Sequence, residues 1–405
     1  VIFRHRSFLL LMTGEMIACT GLWVSIIGNL SFMQHLVPSD FLKGLILMSG
    51  MLVSILFSPK AGVVIDRYDK RRIMLIAILL RCISPLCMFP ALAHDSIAWM
   101  VASLIIMQTS DVFYFPAVQA AIPAILPPGE LMKANSVYMI VATLSRIGGT
   151  ALGGIMAASM ELSSLYTLSI IAYAFLAIVT LCLHIPQLDQ GAVQQRETIQ
   201  FREIFTQMRK EPAVIVGLVN LGMITLFLGG FNLLVLQFSQ FQQRPELMGW
   251  IYSVEGTSIL VAGLAAKRLI GERNLVATST WLVCVFALAE FGMSVAGNLY
   301  VVLGSFALFG ATVAFFFPAI TTIFQKRLPE HTHGRFFSFR DMYERTLFLV
   351  AVATTGACLD LLGIARYMLC IGGITLLCAG VMLVYGKRKR ADVRPPGPVQ
   401  PPVTI

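Results

Sequence analysis

Glu15, Arg81, Asp111, Arg146, Glu255 and Glu290 lie inside long apolar runs. An ionised side chain at mid-membrane depth costs about 2.5–3.5 kcal/mol on insertion scales, so each needs a purpose. Glu15 lies about seven residues into the first run, roughly 10 Å along a helix. Cys19, Leu22, Ile26 and Asn29 share its helical face. A carboxylate there can bind and release a proton, or hold a structural hydrogen bond to a neighbouring helix. Asp111 and Arg146 lie 17 and 18 positions from a hairpin turn near Pro128, which places them at nearly equal depth. Such a pair can exchange partners when the aspartate protonates, or serve as a static bridge. Arg81 is a further partner for Glu15 or Asp111, or else reaches the interface by snorkelling. Glu255 and Glu290 flank a turn near Gly271 at 16 and 19 residues. Arg340, Asp341, Glu344 and Arg345 read as the cytoplasmic end of a later run, where Asp66 can dock.

The elements that must position these groups are membrane spans. Of 405 residues 57% are hydrophobic and 13% charged, and the mean hydropathy is +0.80. A soluble domain of that composition would expose too much apolar surface, so soluble enzymes, nucleic-acid-binding proteins and disulfide-stapled secreted domains are excluded. Apolar runs long enough to cross a slab of about 30 Å recur along the chain. They read as twelve spans near 7–35, 41–65, 73–93, 97–125, 131–160, 162–185, 213–238, 247–270, 275–296, 298–325, 337–360 and 363–385. Of 30 Lys and Arg, 24 fall on one side of these spans, among them Arg67, Arg71 and Lys387. The other side holds only Lys43, Arg244 and Arg366. The positive-inside rule then puts both termini in the cytoplasm. The first apolar run is too long for a signal-peptide core and has no small-residue cleavage site. All eight cysteines lie in spans without a Cys-x-x-Cys, which supports neither a disulfide framework nor a metal site.

The expected organisation is an N-terminal six-helix bundle (1–185), a cytoplasmic central loop with a short amphipathic helix (186–212), a C-terminal six-helix bundle (213–385) and a disordered basic, Pro-rich tail (386–405). Phe201, Ile204, Phe205 and Met208 give the loop helix its apolar face. The halves repeat each other: Phe115-Pro116-Ala117 before Leu126-Pro127 matches Phe317-Pro318-Ala319 before Leu328-Pro329, at an offset of 202 residues. Ala61-Gly62 and Ala262-Gly263 repeat at an offset of 201. Parallel repeats about a central loop are a transporter architecture.

The loop after the second span, Gly62-Val-Val-Ile-Asp66-Arg67-Tyr-Asp69-Lys70-Arg71-Arg72, resembles the Gly-x-x-x-Asp-Arg-x-Gly-Arg-Arg/Lys signature of the major facilitator superfamily, with Asp69 in place of the second Gly. The resemblance implies that Gly62, Asp66, Arg67 and Arg71 form a conformational lock. A narrower resemblance rests on Phe115-Pro116-Ala117, Ile122-Pro123, Leu126-Pro127, Ala134-Asn135-Ser136 and Gly149-Thr150-Ala151-Leu152-Gly153-Gly154. This order is similar to the macrolide-efflux-like branch of drug:proton antiporters, which includes siderophore exporters. Thr150 stands where that branch commonly has Pro in the fifth span.

Together these readings imply an all-α membrane protein of the major facilitator fold in a bacterial inner membrane. It would export amphipathic organic compounds, drugs such as macrolides or siderophores, in exchange for protons. Glu15, Asp111 and Arg146 are the candidates for proton coupling, and Asn29, Arg81, Phe231 and Phe316 for the substrate cavity. The other phenylalanines of the second half would extend an apolar wall, or simply pack. With no phosphate-binding loop, the proton gradient replaces a nucleotide and no cofactor is expected. The bilayer, protons and a small amphipathic substrate are the expected partners of a monomer, with no nucleic acid. A lipid or lysolipid flippase on the same fold is the first alternative, and a non-transporting sensor or assembly partner the second.

Overall fold

A computed structural model describes residues 5–126, 130–183, 185, 208, 211–270, 274–328 and 333–389. The expected loop helix near 201–210, apart from Met208, and the tail beyond 389 lie outside them. Regular structure among the described residues is helical: α1 (Arg6–Leu36), α2 (Asp40–Arg67), α3 (Lys70–Leu86), α4 (Met88–Ala93), α5 (Ile97–Ile125), α6 (Leu131–Ser159), α7 (Leu162–Cys182), α8 (Pro212–Gln242), α9 (Leu247–Ile270), α10 (Leu275–Met293), α11 (Leu299–Arg327) and α12 (His333–Arg388).

Eleven helical stretches among these residues are long and apolar enough to cross a bilayer. One joins α3 and α4, where Pro85 sits two residues before the break at Cys87. The last, Phe339–Arg388, runs for 50 residues, which as one straight helix would be about 75 Å long. It is broken at Gly363, whose φ of 71° and ψ of 166° only glycine adopts without strain.

The internal repeat is visible in the helices themselves. Helices α5 and α11 are each 29 residues long. Both end in an extended residue, Leu126 or Leu328, as the residue before a proline should. Pro116 and Pro318 occupy matching interior positions. Proline is tolerated there because neighbouring helices shield the freed backbone groups from lipid.

Small residues set how closely the helices approach. Gly14, Gly21 and Gly28 recur every seventh residue and press α1 onto Leu176, Ala172 and Tyr166 of α7. The Ser169 hydroxyl donates to the Gly21 carbonyl at 2.7 Å across this seam. On α6, a Cβ at Gly149 would lie 2.6 Å from the Thr20 carbonyl oxygen of α1. Gly149→Val must therefore push α1 and α6 apart, and overpacking of this kind costs about 1–3 kcal/mol. A fall of several degrees in the thermal midpoint of purified protein is expected. Gly148→Ala, where nothing lies within 4 Å, should leave it unchanged.

Two compact units result. The first comprises Val1–Arg196, Gly230–Thr257 and Leu349–Ile364, the second Glu197–Gly229, Ser258–Phe348 and Ala365–Ile405. The second unit is centred on Phe227, Phe286 and Phe309, all fully buried, with ring centroids 4.8–5.5 Å apart. The Asn220 amide ties α8 to α10 by donating to Thr280 at 2.9 Å. In the first unit, Phe8, Leu11, Ile78, Tyr114, Val118, Tyr173 and Leu176 belong to one buried apolar cluster joining α1, α3, α5 and α7.

Candidate functional site

Glu15, Arg81, Asp111, Arg146 and Glu255 form two groups of interior charges in the first unit. The first joins α1, α3 and α5. Arg81, fully buried on α3, donates to Asp111 Oδ1 of α5 from Nη2 at 2.7 Å and from Nε at 3.2 Å. Its guanidinium lies 4.0 Å from the Tyr114 ring centroid and 5.0 Å from that of Phe115, a cation stacked on two rings. The Tyr114 hydroxyl donates to Glu15 Oε1. Cys19, one turn along α1, donates to the other oxygen at 3.6 Å. Glu15 is sealed from solvent, whereas the Asp111 side chain keeps 18% of its surface exposed. One cation and two carboxylates therefore share a chain of contacts with a single open end, at Asp111.

The second group joins α6 and α9. Arg146 Nη1 lies 2.8 Å from Glu255 Oε2. Trp23 of α1 covers Arg146, with its ring 5.9 Å away, and Tyr252 tilts against Trp23 at 5.8 Å between centroids. Phe231 packs edge-on to Tyr252 at 5.3 Å, and the Tyr252 hydroxyl donates to Asn232. The two helices meet through glycine: Gly154 and Gly249 approach so closely that a Cβ on Gly154 would lie 2.9 Å from the Gly249 Cα. The Thr150 hydroxyl donates to the Arg146 carbonyl one turn back on α6 at 2.8 Å.

The expected Asp111–Arg146 pair is therefore not formed; the structure gives Asp111 to Arg81 and Arg146 to Glu255. Equal distance from a turn does not fix the direction in which a side chain leaves its helix. Arg81 and Phe316, expected on a substrate-facing surface, are both fully buried, and Phe316 packs edge-to-face with Phe317. Phe227 and Phe238 are fully buried as well, while Phe241 is exposed. Asn29 is half-buried and accepts from the Tyr166 hydroxyl at 3.1 Å.

Of the expected lock, Arg71 is described: it donates to the Thr180 carbonyl at 3.1 Å and to that of Leu181, fastening α3 to the end of α7. The side chains of Gly62, Asp66 and Arg67 lie outside the described residues. Arg340 is paired with Glu344 one turn along α12. Sequence reasoning missed Tyr114, Trp23 and Tyr252. The signal for Tyr114 was its place one helical turn after Asp111.

A family model described as Major Facilitator Superfamily matches residues 11–256 and 231–404. The chain belongs to the Major Facilitator Superfamily. It is thus a multi-pass transporter of a bacterial inner membrane and not an enzyme. Its relatives among characterised and uncharacterised carriers include an uncharacterized MFS-type transporter, YfiS, of Bacillus subtilis, 24% identical over 96% of this chain and 95% of the relative. Macrolide efflux protein A of Streptococcus pyogenes is 22% identical, covering 85% and 87%. The Staphyloferrin A transporter of Staphylococcus aureus is 23% identical, covering 96% of both. Among solved structures, a mutant of the nucleoside transporter NupG superposes with a TM-score of 0.79 at 15% identity, over 94% of this chain and 100% of that one. That likeness establishes the fold, and the sequence relatives place this superfamily member beside efflux pumps.

Proposed function

We propose that this transporter exports amphipathic organic compounds in exchange for protons, with the proton held by the Asp111–Arg81–Tyr114–Glu15 chain. The carrying observation is that one cation and two carboxylates meet there, with one open end. With a single proton the set is neutral: either Asp111 or Glu15 is ionised, and Arg81 between them keeps one counter-ion. A proton entering at Asp111 leaves Glu15 as the carboxylate that faces Arg81, and Tyr114, stacked on Arg81 and donating to Glu15, holds the two in place. Moving that charge between α1 and α5 alters which helices are held together, which links proton binding to conformation.

Trp23 beside Arg146, half-buried and backed by the buried rings of Tyr252 and Phe231, is the proposed substrate contact, since a ring next to a cation suits a lipophilic ligand with a polar handle. Names of the relatives support that class of cargo, macrolides and a siderophore among them. In topology we assign twelve spans, counting the two arms of α12 on either side of Gly363 separately. Both termini are then cytoplasmic by the distribution of Lys and Arg.

The test is proton movement in proteoliposomes under an imposed gradient, with macrolides, siderophores, dyes and lysolipids as the panel. Substrate-dependent proton flux is expected from the parent protein, and Glu15→Gln should lower it at least tenfold. Substrate movement that persists at full rate without protons would contradict the coupling and favour a facilitator or flippase.

A further inference from the structure

Each interior ion pair of the first unit has one sealed end and one open end, and the open ends carry opposite charge. In the first pair Arg81 has no exposed surface, whereas the Asp111 side chain keeps 18% of its own. In the second pair Glu255 keeps 4% and Arg146 21%. The open ends are also only partly used. Both bonds from Arg81 end on Asp111 Oδ1, which leaves Oδ2 to another donor. Glu255 meets Arg146 at Nη1, which leaves the rest of the guanidinium fork to another acceptor. A pair serving only as a brace gains nothing from such spare capacity, since buried charges are most stable when fully paired and hydrogen-bonded. Here the sealed partner fixes the open one in place and leaves it a free face.

The two open ends lie along one stretch of the same helices. Tyr138 of α6, half-buried, is close enough to Glu15, Arg81 and Asp111 to feel their charges. Arg146 stands eight residues further along α6. On α1 the same interval separates Glu15 of the first group from Trp23 of the second. Two helical turns place the groups about 12 Å apart. Between these levels Leu22 of α1 and Ala142 of α6 are apolar and half-buried.

We propose that the cargo is dipolar: an amphiphile with a basic amine for Asp111 Oδ2 and an acidic group for the free donors of Arg146, about 12 Å apart across an apolar body that lies against Trp23. Charge balance favours this class. With one proton on Glu15 and Asp111 together the first group is neutral, and so is the Arg146–Glu255 pair. A cargo of net charge would bring an uncompensated ion into a low-dielectric interior. A dipolar cargo brings none, and each of its charges meets the opposite one. Its ammonium requires Asp111 to be ionised, with the proton on Glu15. The class rests on the reading of Trp23 and Arg146 as a cargo contact, and not on proton flux.

Trp23 supplies the reporter, in a chain whose other three tryptophans, Trp99, Trp250 and Trp281, are changed to Phe. The probe is a linear ω-amino fatty acid whose extended length matches the spacing. It is compared with the alkylamine and the fatty acid of equal length. Binding is read as Trp23 quenching on purified protein in lipid nanodiscs without a pH gradient, with partition into empty nanodiscs subtracted. The amino acid should bind at least about tenfold tighter than either singly charged analogue. An ω-amino acid of half the length should lose that advantage. Arg146→Gln should bring the amino acid down to the affinity of the amine and leave the amine unchanged, a split that a loosened fold does not give. Equal affinity for the three probes in the parent chain overturns the dipolar class and leaves Trp23 a cargo contact. Quenching by none of them overturns both readings.

Discussion

Asp111→Ala is expected to destabilise the protein by about 3–5 kcal/mol, since it leaves Arg81 as a buried cation without its counter-ion. Arg81 has no exposed surface through which to reach water, and its Nη1 already lacks a hydrogen-bond partner among the described residues. Stacking on Tyr114 and Phe115 softens the loss but cannot replace a carboxylate at 2.7 Å. The double substitution Arg81→Met with Asp111→Leu should recover most of the stability, because both charges go and the space is refilled with apolar volume. It should still fail to couple protons, as the chain to Glu15 is gone. Thermal unfolding of the purified variants reads the first effect and proteoliposome flux the second. An Asp111→Ala variant as stable as the parent would mean that Glu15 alone suffices as the counter-ion of Arg81, and that the bond between Arg81 and Asp111 contributes little to stability.

The spans and the repeat could be read from sequence because both are carried by composition along the chain. A run of apolar residues has to be a certain length whatever it packs against, and Leu-Pro at an offset of 202 residues marks equivalent helix ends. The pairing of charges was not legible, and the reason is geometric. Asp111 lies 16 residues after Asp95, and Arg81 14 residues before it, so the α3–α5 hairpin matches their depths as well as the α5–α6 hairpin matches Asp111 with Arg146. Depth was compatible with both partners, and only the packed helices decide between them. The contact of Asp360 with the start of α2 was less legible still. Ser39 and Asp360 are 321 residues apart, and each alone is an ordinary polar residue near a helix end. Burial of Lys43, one of only three basic residues assigned to the outer side, likewise depends on α8 being beside it.

Charge reversal at the Arg146–Glu255 bridge gives the sharpest test of what the second group does. Arg146→Glu alone would set two carboxylates in place of an ion pair whose atoms are 2.8 Å apart, on helices that Gly154 and Gly249 hold in backbone contact. The helices cannot separate to relieve the repulsion without giving up that contact. A penalty of about 3–5 kcal/mol is expected, and transport should fall by roughly a hundredfold or more if the same conformation is used in the cycle. The swap, Arg146→Glu with Glu255→Arg, restores opposite charges across the same gap and should regain stability. What it does to transport separates two roles. If the bridge only fastens α6 to α9, flux returns with stability. If Arg146 meets the cargo under Trp23, flux stays low, because the reversed pair presents a carboxylate where the ring and the ligand had a guanidinium. We expect the second outcome, since the Arg146 side chain keeps 21% of its surface exposed while Glu255 keeps 4%, so the cation is the end of the pair that a ligand can reach. A swapped variant that regains neither stability nor flux would show instead that the surroundings, and not the pair, require arginine on α6.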